Sequence, residues 1–259
     1  MTMPIVRNST NPFYDAVADQ YHLFFRDWEA TVEREGATLR RVFRDRNVKR
    51  VLDASCGTGT QTIALARLGY EITATDPSQN MLLKAAEHAK QFNVESKITI
   101  LRAGFLELPQ IVTGPFDAVI TKGNALPHLL TDAELETALH NFFNLLRPGG
   151  TVLIGIRNFE MLLEDRPSFV PRHIHVDDET KQETILFDVW DWDDGPPITV
   201  TFNTFIVSGK GNDYKTTKHS VTYRALTYKE LEAAMLKAGF TEITVGEDRW
   251  ELVITANRP

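Results

Sequence analysis

The run Val51-Leu-Asp-Ala-Ser-Cys-Gly-Thr-Gly-Thr60 constrains the fold of this chain more than any other segment. Two β-formers and an acid enter a turn of small residues, and the apolar helical run Ile63-Ala-Leu-Ala-Arg-Leu68 follows. Twenty-three residues after Asp53, a second strand-like run, Ile72-Thr-Ala-Thr-Asp76, again ends in an acid. Strand, Gly-rich turn, helix, strand and terminal acid form the pattern that receives a nucleoside-bearing cofactor. Gly57 and Gly59 let the backbone approach a ligand, and Asp76 accepts hydrogen bonds from ribose hydroxyls.

A GxGxxG turn would indicate NAD or FAD. Here an acid lies inside the motif, Asp53-x-Ser55-Cys56-Gly57-Thr58-Gly59, and no third glycine follows at the dinucleotide spacing. This favours a nucleoside without a pyrophosphate, such as S-adenosylmethionine. A plain βα turn in another α/β protein is the alternative, because glycine punctuation is common.

The flanking sequence alternates. Strands are expected at 51–53, 72–76, 98–102, 116–121 and 151–156, with helices at 61–68, 78–92 and 132–146. Ser78 is a candidate N-cap, Gly69 a C-cap, and Arg147-Pro-Gly-Gly150 a helix breaker. Apolar strands between helices imply an α/β fold, a doubly wound and mostly parallel seven-stranded sheet. Right-handed crossovers then place the strands' C-terminal ends on one ligand-binding rim. Strands 242–247 and 251–256 complete that sheet as a hairpin. The helix from Thr227, with Glu230 as capping-box partner and Gly239 as C-cap, precedes them.

Two segments depart from the alternation. Phe13 to Asp45 reads as one or two helices, with Tyr14, Ala18, Tyr21 and Phe25 on one face and an amphipathic second part from Thr31 to Phe43. Residues 184–193, 198–208 and 215–223 alternate polar and apolar and predict a three-stranded antiparallel insertion. The organisation expected is an N-terminal helical lid over 1–45, its first twelve residues a loose tail. A cofactor-binding domain spans 46–157 and 224–259, and the insertion at 158–223 covers the substrate site.

At 259 residues and a net charge of −7, with no Lys/Arg cluster, the chain is a poor candidate for polyanion or nucleic-acid binding. Its one cysteine, Cys56, excludes an intrachain disulfide and suits a reducing compartment. No apolar run reaches the roughly 18 residues of a membrane span, and the start lacks a signal-peptide core. A cytoplasmic protein is the expectation. No metal-ligand spacing and no G-x-S-x-G elbow are present.

In order and spacing, the turn at 53–60, Asp76-Pro-Ser-Gln-Asn-Met81, Phe116-Asp-Ala-Val119, Leu146-Arg-Pro-Gly-Gly-Thr-Val-Leu153 and Ala238-Gly-Phe240 resemble the class I S-adenosylmethionine-dependent methyltransferases. Lys122-Gly-Asn-Ala-Leu-Pro-His128 and Ile156-Arg-Asn-Phe159 are similar to segments of the glycine and glycine/sarcosine N-methyltransferases. That family has Ser where Ala125 stands and Tyr where Phe159 stands, and Gly104 replaces its polar residue near the adenine.

The resemblance implies S-adenosylmethionine as methyl donor, S-adenosylhomocysteine as product, no metal, and a small-molecule acceptor. It implies that Arg157 holds an acceptor carboxylate, Asn124 contacts the amine or cofactor, His128 lines the pocket and Tyr223 lies near the acceptor. The cofactor would meet Asp53, Ser55, Gly57, Gly59, Asp76, Pro77, Met81, Gly104, Phe105 and Lys122, with Tyr14, Tyr21 and Trp28 as a lid.

Other readings stay open. Arg157 could serve a structural ion pair, Asp76 a helix cap, Asp53 the turn's own N–H groups, and the N-terminal aromatics a helix core. Trp190, Trp192, Phe202 and Phe205 read as sheet core, and Asp188, Asp191, Asp193 and Asp194 as a solvated edge. Competing functions are methylation of another metabolite's O or N atom, cofactor binding without turnover, and a dehydrogenase.

Overall fold

The computed structural model describes residues 10–248 and 251–259. Five strands form the parallel part of the main sheet: β1 (Arg50–Asp53), β2 (Glu71–Asp76), β3 (Ile98–Arg102), β4 (Phe116–Thr121) and β5 (Leu146–Arg157). The helices before β5 are α1 (Thr10–Val17), α2 (Trp28–Phe43), α3 (Thr60–Arg67), α4 (Gln79–Gln91), α5 (Leu108–Ile111) and α6 (Asp132–Leu145). After β5 come α7 (Phe159–Asp165), then β6 (Phe169–Val176), β7 (Glu183–Asp193), β8 (Thr199–Lys210) and β9 (Asp213–Arg224). The chain ends with α8 (Tyr228–Lys237), β10 (Thr241–Asp248) and β11 (Glu251–Asn257).

The seven-stranded sheet runs β10-β11-β5-β4-β1-β2-β3. β1 pairs in parallel with both β2 and β4, so the winding direction reverses between β1 and β4. The crevice at that switch point opens at the strands' C-terminal ends. β11 is antiparallel to β5 and β10 to β11, as the hairpin reading requires.

Alternation along the buried strands feeds two cores. Leu52, Val119, Val152 and Ile154 pack with Phe142, Leu231 and Met235 on one face. Val51, Ile120 and Leu153 pack with Val32, Leu39, Ile63 and Leu82 on the other. Helix ends follow the sequence signals. Ser78 Oγ accepts from the Met81 N–H, and Thr131–Glu134 and Thr227–Glu230 are both capping boxes.

Four expectations are corrected. The antiparallel sheet has four strands, β6-β7-β8-β9. β6 escaped the sequence reading because Pro171 interrupts its run, and a register shift between Pro171 and Ile174 accommodates that proline at the sheet edge. Tyr14, Ala18, Tyr21 and Phe25 do not share one helix. α1 stops at Val17, a 3-10 turn covers Ala18–Phe24, and Phe25 is extended. The stretch between the strands expected at 98–102 and 116–121, where the sequence indicated no helix, contains α5. Asp188 is no solvated edge but fully buried, since it faces inward on β7, whereas Asp191, Asp193 and Asp194 are exposed. Most of the tail expected at 1–12 lies outside the described residues, and Thr10–Pro12 open α1.

Candidate active site

The turn after β1 is built by positive backbone angles. Gly57 and Gly59 have φ of 52° and 95°, and a Cβ on Gly59 would stand 3.5 Å from that of Ala85 on α4. Asp53 secures the turn from below. Its Oδ2 accepts from Thr62 Oγ1 at 2.6 Å and its Oδ1 from the Ser55 N–H at 3.4 Å. Burial pushes its carboxyl up to about 7, against those bonds. Ser55 Oγ in turn meets Thr121 Oγ1 at 2.8 Å, joining the turn to β4.

Asp76 ends β2 beside this turn. Oδ2 accepts from the Gly57 N–H at 3.0 Å and Oδ1 from the Ser78 N–H at 2.9 Å. Burial raises its carboxyl to about 6. Pro77 and Gly104 come together at the ends of β2 and β3, a Cβ on Gly104 lying 3.8 Å from that of Pro77. Met81 is fully buried behind them, packed with Phe13 and Val17 of α1. Asp15 of α1 takes a bond from Ser78 Oγ at 2.6 Å, so the N-terminal segment is tied to the rim at Asp76.

A cavity of about 860 Å³ opens next to this rim. Five of the sequence-predicted residues line it: Tyr14, Tyr21, Asn124, Arg157 and Tyr223. Asn124, at φ 66°, follows β4, and its Oδ1 accepts from the Arg157 N–H at 3.0 Å. The two residues therefore fix each other across the ends of β4 and β5. Asn124 Nδ2 is buried without a hydrogen-bond partner, a donor still available beside the cavity.

Arg157 is held by rings rather than by an acid. Its guanidinium lies 5.4 Å from the Phe202 ring centroid and 5.7 Å from that of Trp190, which stack on each other at 3.9 Å. Among the described residues no carboxylate pairs with it, so the structural ion pair left open by the sequence is absent. Burial, and then the nearby Arg172 guanidinium, pull its pKa down.

The remaining predicted residues lie elsewhere. His128 stands behind Tyr14 and Tyr223, with Nε2 2.9 Å from Tyr14 Oη. Trp28 lies beside the glycine-rich turn, bonding Thr60 Oγ1 at 3.0 Å and packing its ring, tilted, on His88 at 4.1 Å. Phe105 packs edge-on against Phe142. The Lys122 ammonium is taken by Glu35 at 2.6 Å and Glu251 at 2.9 Å.

Sequence reading missed several cavity residues. Arg172 of β6 donates to Asp188 from Nε and Nη2 at 2.7 and 2.6 Å, and Asp188 also accepts from Thr204 and Trp190. Pro171 hid the strand that carries Arg172. Glu35 had a usable signal, an acid on the apolar stripe Val32, Leu39 and Phe43, where burial demands a partner. Among the described residues no group of three or more His, Cys, Asp or Glu could hold a metal, and no helix is long and apolar enough to cross a membrane.

Residues 51–150 match a family model described as a methyltransferase domain. A glycine/sarcosine N-methyltransferase of Parasynechococcus marenigrum is 33% identical over 138 residues, 53% of this chain and 48% of that protein. The chain thus spans about half the length of the curated relatives it matches. A structure of an S-adenosylmethionine-dependent methyltransferase from Clostridium acetobutylicum superposes with a TM-score of 0.72 at 16% identity, covering 96% of this chain and 99% of that one. The CcbJ methyltransferase of Streptomyces caelestis gives 0.77 at 20% identity over 95% of this chain and 97% of that one. Over residues 51–150 the chain is similar to a methyltransferase domain, its fold is that of solved S-adenosylmethionine-dependent methyltransferases, and its sequence resembles the glycine and glycine/sarcosine N-methyltransferases.

Proposed function

We propose that this protein binds S-adenosylmethionine and transfers its methyl group to the amine of a small carboxylate-bearing acceptor of the glycine and sarcosine class. The observation that carries this reading is Arg157, a guanidinium lining the cavity over two aromatic rings with no carboxylate in contact with it among the described residues. An acceptor carboxylate supplies the missing partner through bidentate, charge-assisted bonds.

S-Adenosylmethionine brings a methyl group already activated on a sulfonium. The protein's residues supply position and dryness. Asp76 takes the ribose hydroxyls, with Gly57, Gly59, Pro77, Met81 and Gly104 shaping that end. Asn124 Nδ2 is a ready donor between cofactor and acceptor. Arg157 anchors the carboxylate, and Tyr14 and Tyr223 orient the amine, which must be neutral to attack. The rings of Tyr21, Trp190 and Phe202 exclude water and favour the cationic centre. Within the 1–45 segment the described residues act as a lid, and residues 158–223 close the acceptor side. The partner is a small molecule, met in the cytoplasm.

Calorimetric titration of acetate into the protein saturated with S-adenosylhomocysteine tests the carboxylate site. Binding that Arg157→Ala abolishes supports the reading, and acetate binding that is equal in both proteins contradicts it.

A further inference from the structure

The antiparallel pairing of β5 with β11 sets Glu251 directly opposite Arg157. Residues so placed share one face of the sheet with Cβ atoms about 4.5–5.5 Å apart, and opposite charges there attract. Both residues line the cavity. An ion pair between them is the simplest outcome, yet Glu251 gives its carboxylate to other partners.

Lys122 Nζ lies 2.9 Å from Glu251 Oε2, and the Gly123 N–H donates to Oε1 at 2.8 Å. Gly155, two residues before Arg157 and on the same face of β5, provides the room, because a Cβ there would overlap the Glu251 carboxylate. Glu35 of α2 lies 2.6 Å from the same ammonium and holds it from the other side. The next residue of the loop, Asn124, bonds the Arg157 N–H at 3.0 Å. The tripeptide Lys122-Gly123-Asn124 thus grips the acid and the cation separately. Asp188, another acid of the cavity, is likewise occupied, by Arg172 at 2.6 Å.

The Lys122 side chain is 1% exposed and that of Glu35 9%. Charges so buried pay a large desolvation cost, and an apolar cluster of the same shape is often as stable, so stability alone is a weak reason for this one. We propose that Lys122 is a positioning residue that holds Glu251 off Arg157 and so keeps the guanidinium open to an acceptor carboxylate. This rests on the reading above that Arg157 takes that carboxylate. Glu251 and the acceptor compete for one guanidinium. Without the Lys122 ammonium, Glu35 and Glu251 repel each other, and the cation opposite Glu251 on β5 offers it a partner.

The test compares Lys122→Met with Lys122→Met/Glu251→Gln. Acetate is titrated calorimetrically into each protein saturated with S-adenosylhomocysteine. Lys122→Met should bind acetate at least about tenfold more weakly than wild type, the worth of one charge-assisted bond. Glu251→Gln keeps the shape of the side chain, removes its charge and should restore most of that affinity. A loss that persists in the double variant is a loosened site and overturns the proposal, as does undiminished affinity in Lys122→Met. Should Lys122→Met fail to fold, Gly155→Ala takes its place. Its Cβ displaces the Glu251 carboxylate with Lys122 intact, and the same two outcomes are read from Gly155→Ala and Gly155→Ala/Glu251→Gln.

A crystal structure of the folded single variant reads the same competition without acceptor. The Glu251 carboxylate is expected within about 4 Å of the Arg157 guanidinium, as an ion pair. A carboxylate that stays away from Arg157 overturns the proposal. If acetate binds wild type and Arg157→Ala alike, the acceptor-carboxylate reading fails, while this structure still decides whether Lys122 keeps the acid and the cation apart.

Discussion

Asp76 accepts a hydrogen bond from the backbone N–H of Gly57 at 3.0 Å, joining the acid that ends β2 to the glycine turn that follows β1. The same carboxylate takes the Ser78 N–H, so one side chain ties the turn after β1 to the start of α4. Ribose hydroxyls would donate to its ionised form. Since burial raises its pKa to about 6, S-adenosylmethionine affinity should fall as pH drops through 6. The slope approaches tenfold per unit below that point. Calorimetry at pH 5, 6, 7 and 8 checks this, and Asp76→Asn should bind weakly at every pH.

Asp53 gives a stability prediction of defined sign. Its carboxyl titrates at about 7 when folded, against 3.8 unperturbed, because burial disfavours the charge. Between those values the folded chain binds more protons than the unfolded one, so this group's contribution declines as pH rises from about 4 to 7. Asp53→Asn keeps an acceptor for Thr62 and loses the titration. Its melting temperature should therefore gain on wild type as pH rises across that window, and a parallel pair of curves would contradict the assignment.

The Lys122 site offers a mutational test of packing. Lys122, Glu35 and Glu251 tie β4 to α2 and β11, and Gly155 on β5 leaves space that any side chain would take from Glu251. Lys122→Met strands the buried Glu35 and the mostly buried Glu251 carboxylates and should cost about 3–5 kcal/mol in urea denaturation. Restoring most of that loss by adding Glu35→Gln and Glu251→Gln would identify unpaired charge as the cause.

Arg157 separates acceptor from cofactor. Arg157→Ala should raise the acceptor KM about 30-fold or more, the loss of a charge-assisted pair worth about 2–3 kcal/mol, and leave S-adenosylmethionine affinity within a few-fold. Arg157→Lys should recover little, because an ammonium cannot lie flat over Phe202 and Trp190 while bonding a carboxylate bidentately. Steady-state kinetics in both substrates decides it.

The sequence revealed what local chemistry determines. Alternation and the Gly57–Gly59 turn indicated the parallel sheet, and Thr227 with Glu230 the start of α8. The order of short motifs led to Asn124 and Arg157, which the fold brings to one cavity wall. What stayed hidden depends on long-range pairing. Arg172 and Asp188 meet only because β6 pairs with β7, and Pro171 masks β6. The resemblance implied Lys122 as a cofactor contact, yet its partners come from 87 and 129 residues away. His128 looked like a pocket residue and instead backs the tyrosines that line it.

The central claim is methyl transfer to a carboxylate-bearing amine, and a single-turnover reaction with S-adenosylmethionine carrying a deuterated methyl group tests it most directly. With glycine or sarcosine present, mass spectrometry should find the label in sarcosine or dimethylglycine for the wild-type protein and almost none for Arg157→Ala. Labelled cofactor that binds tightly and delivers no methyl to either amine would contradict the account.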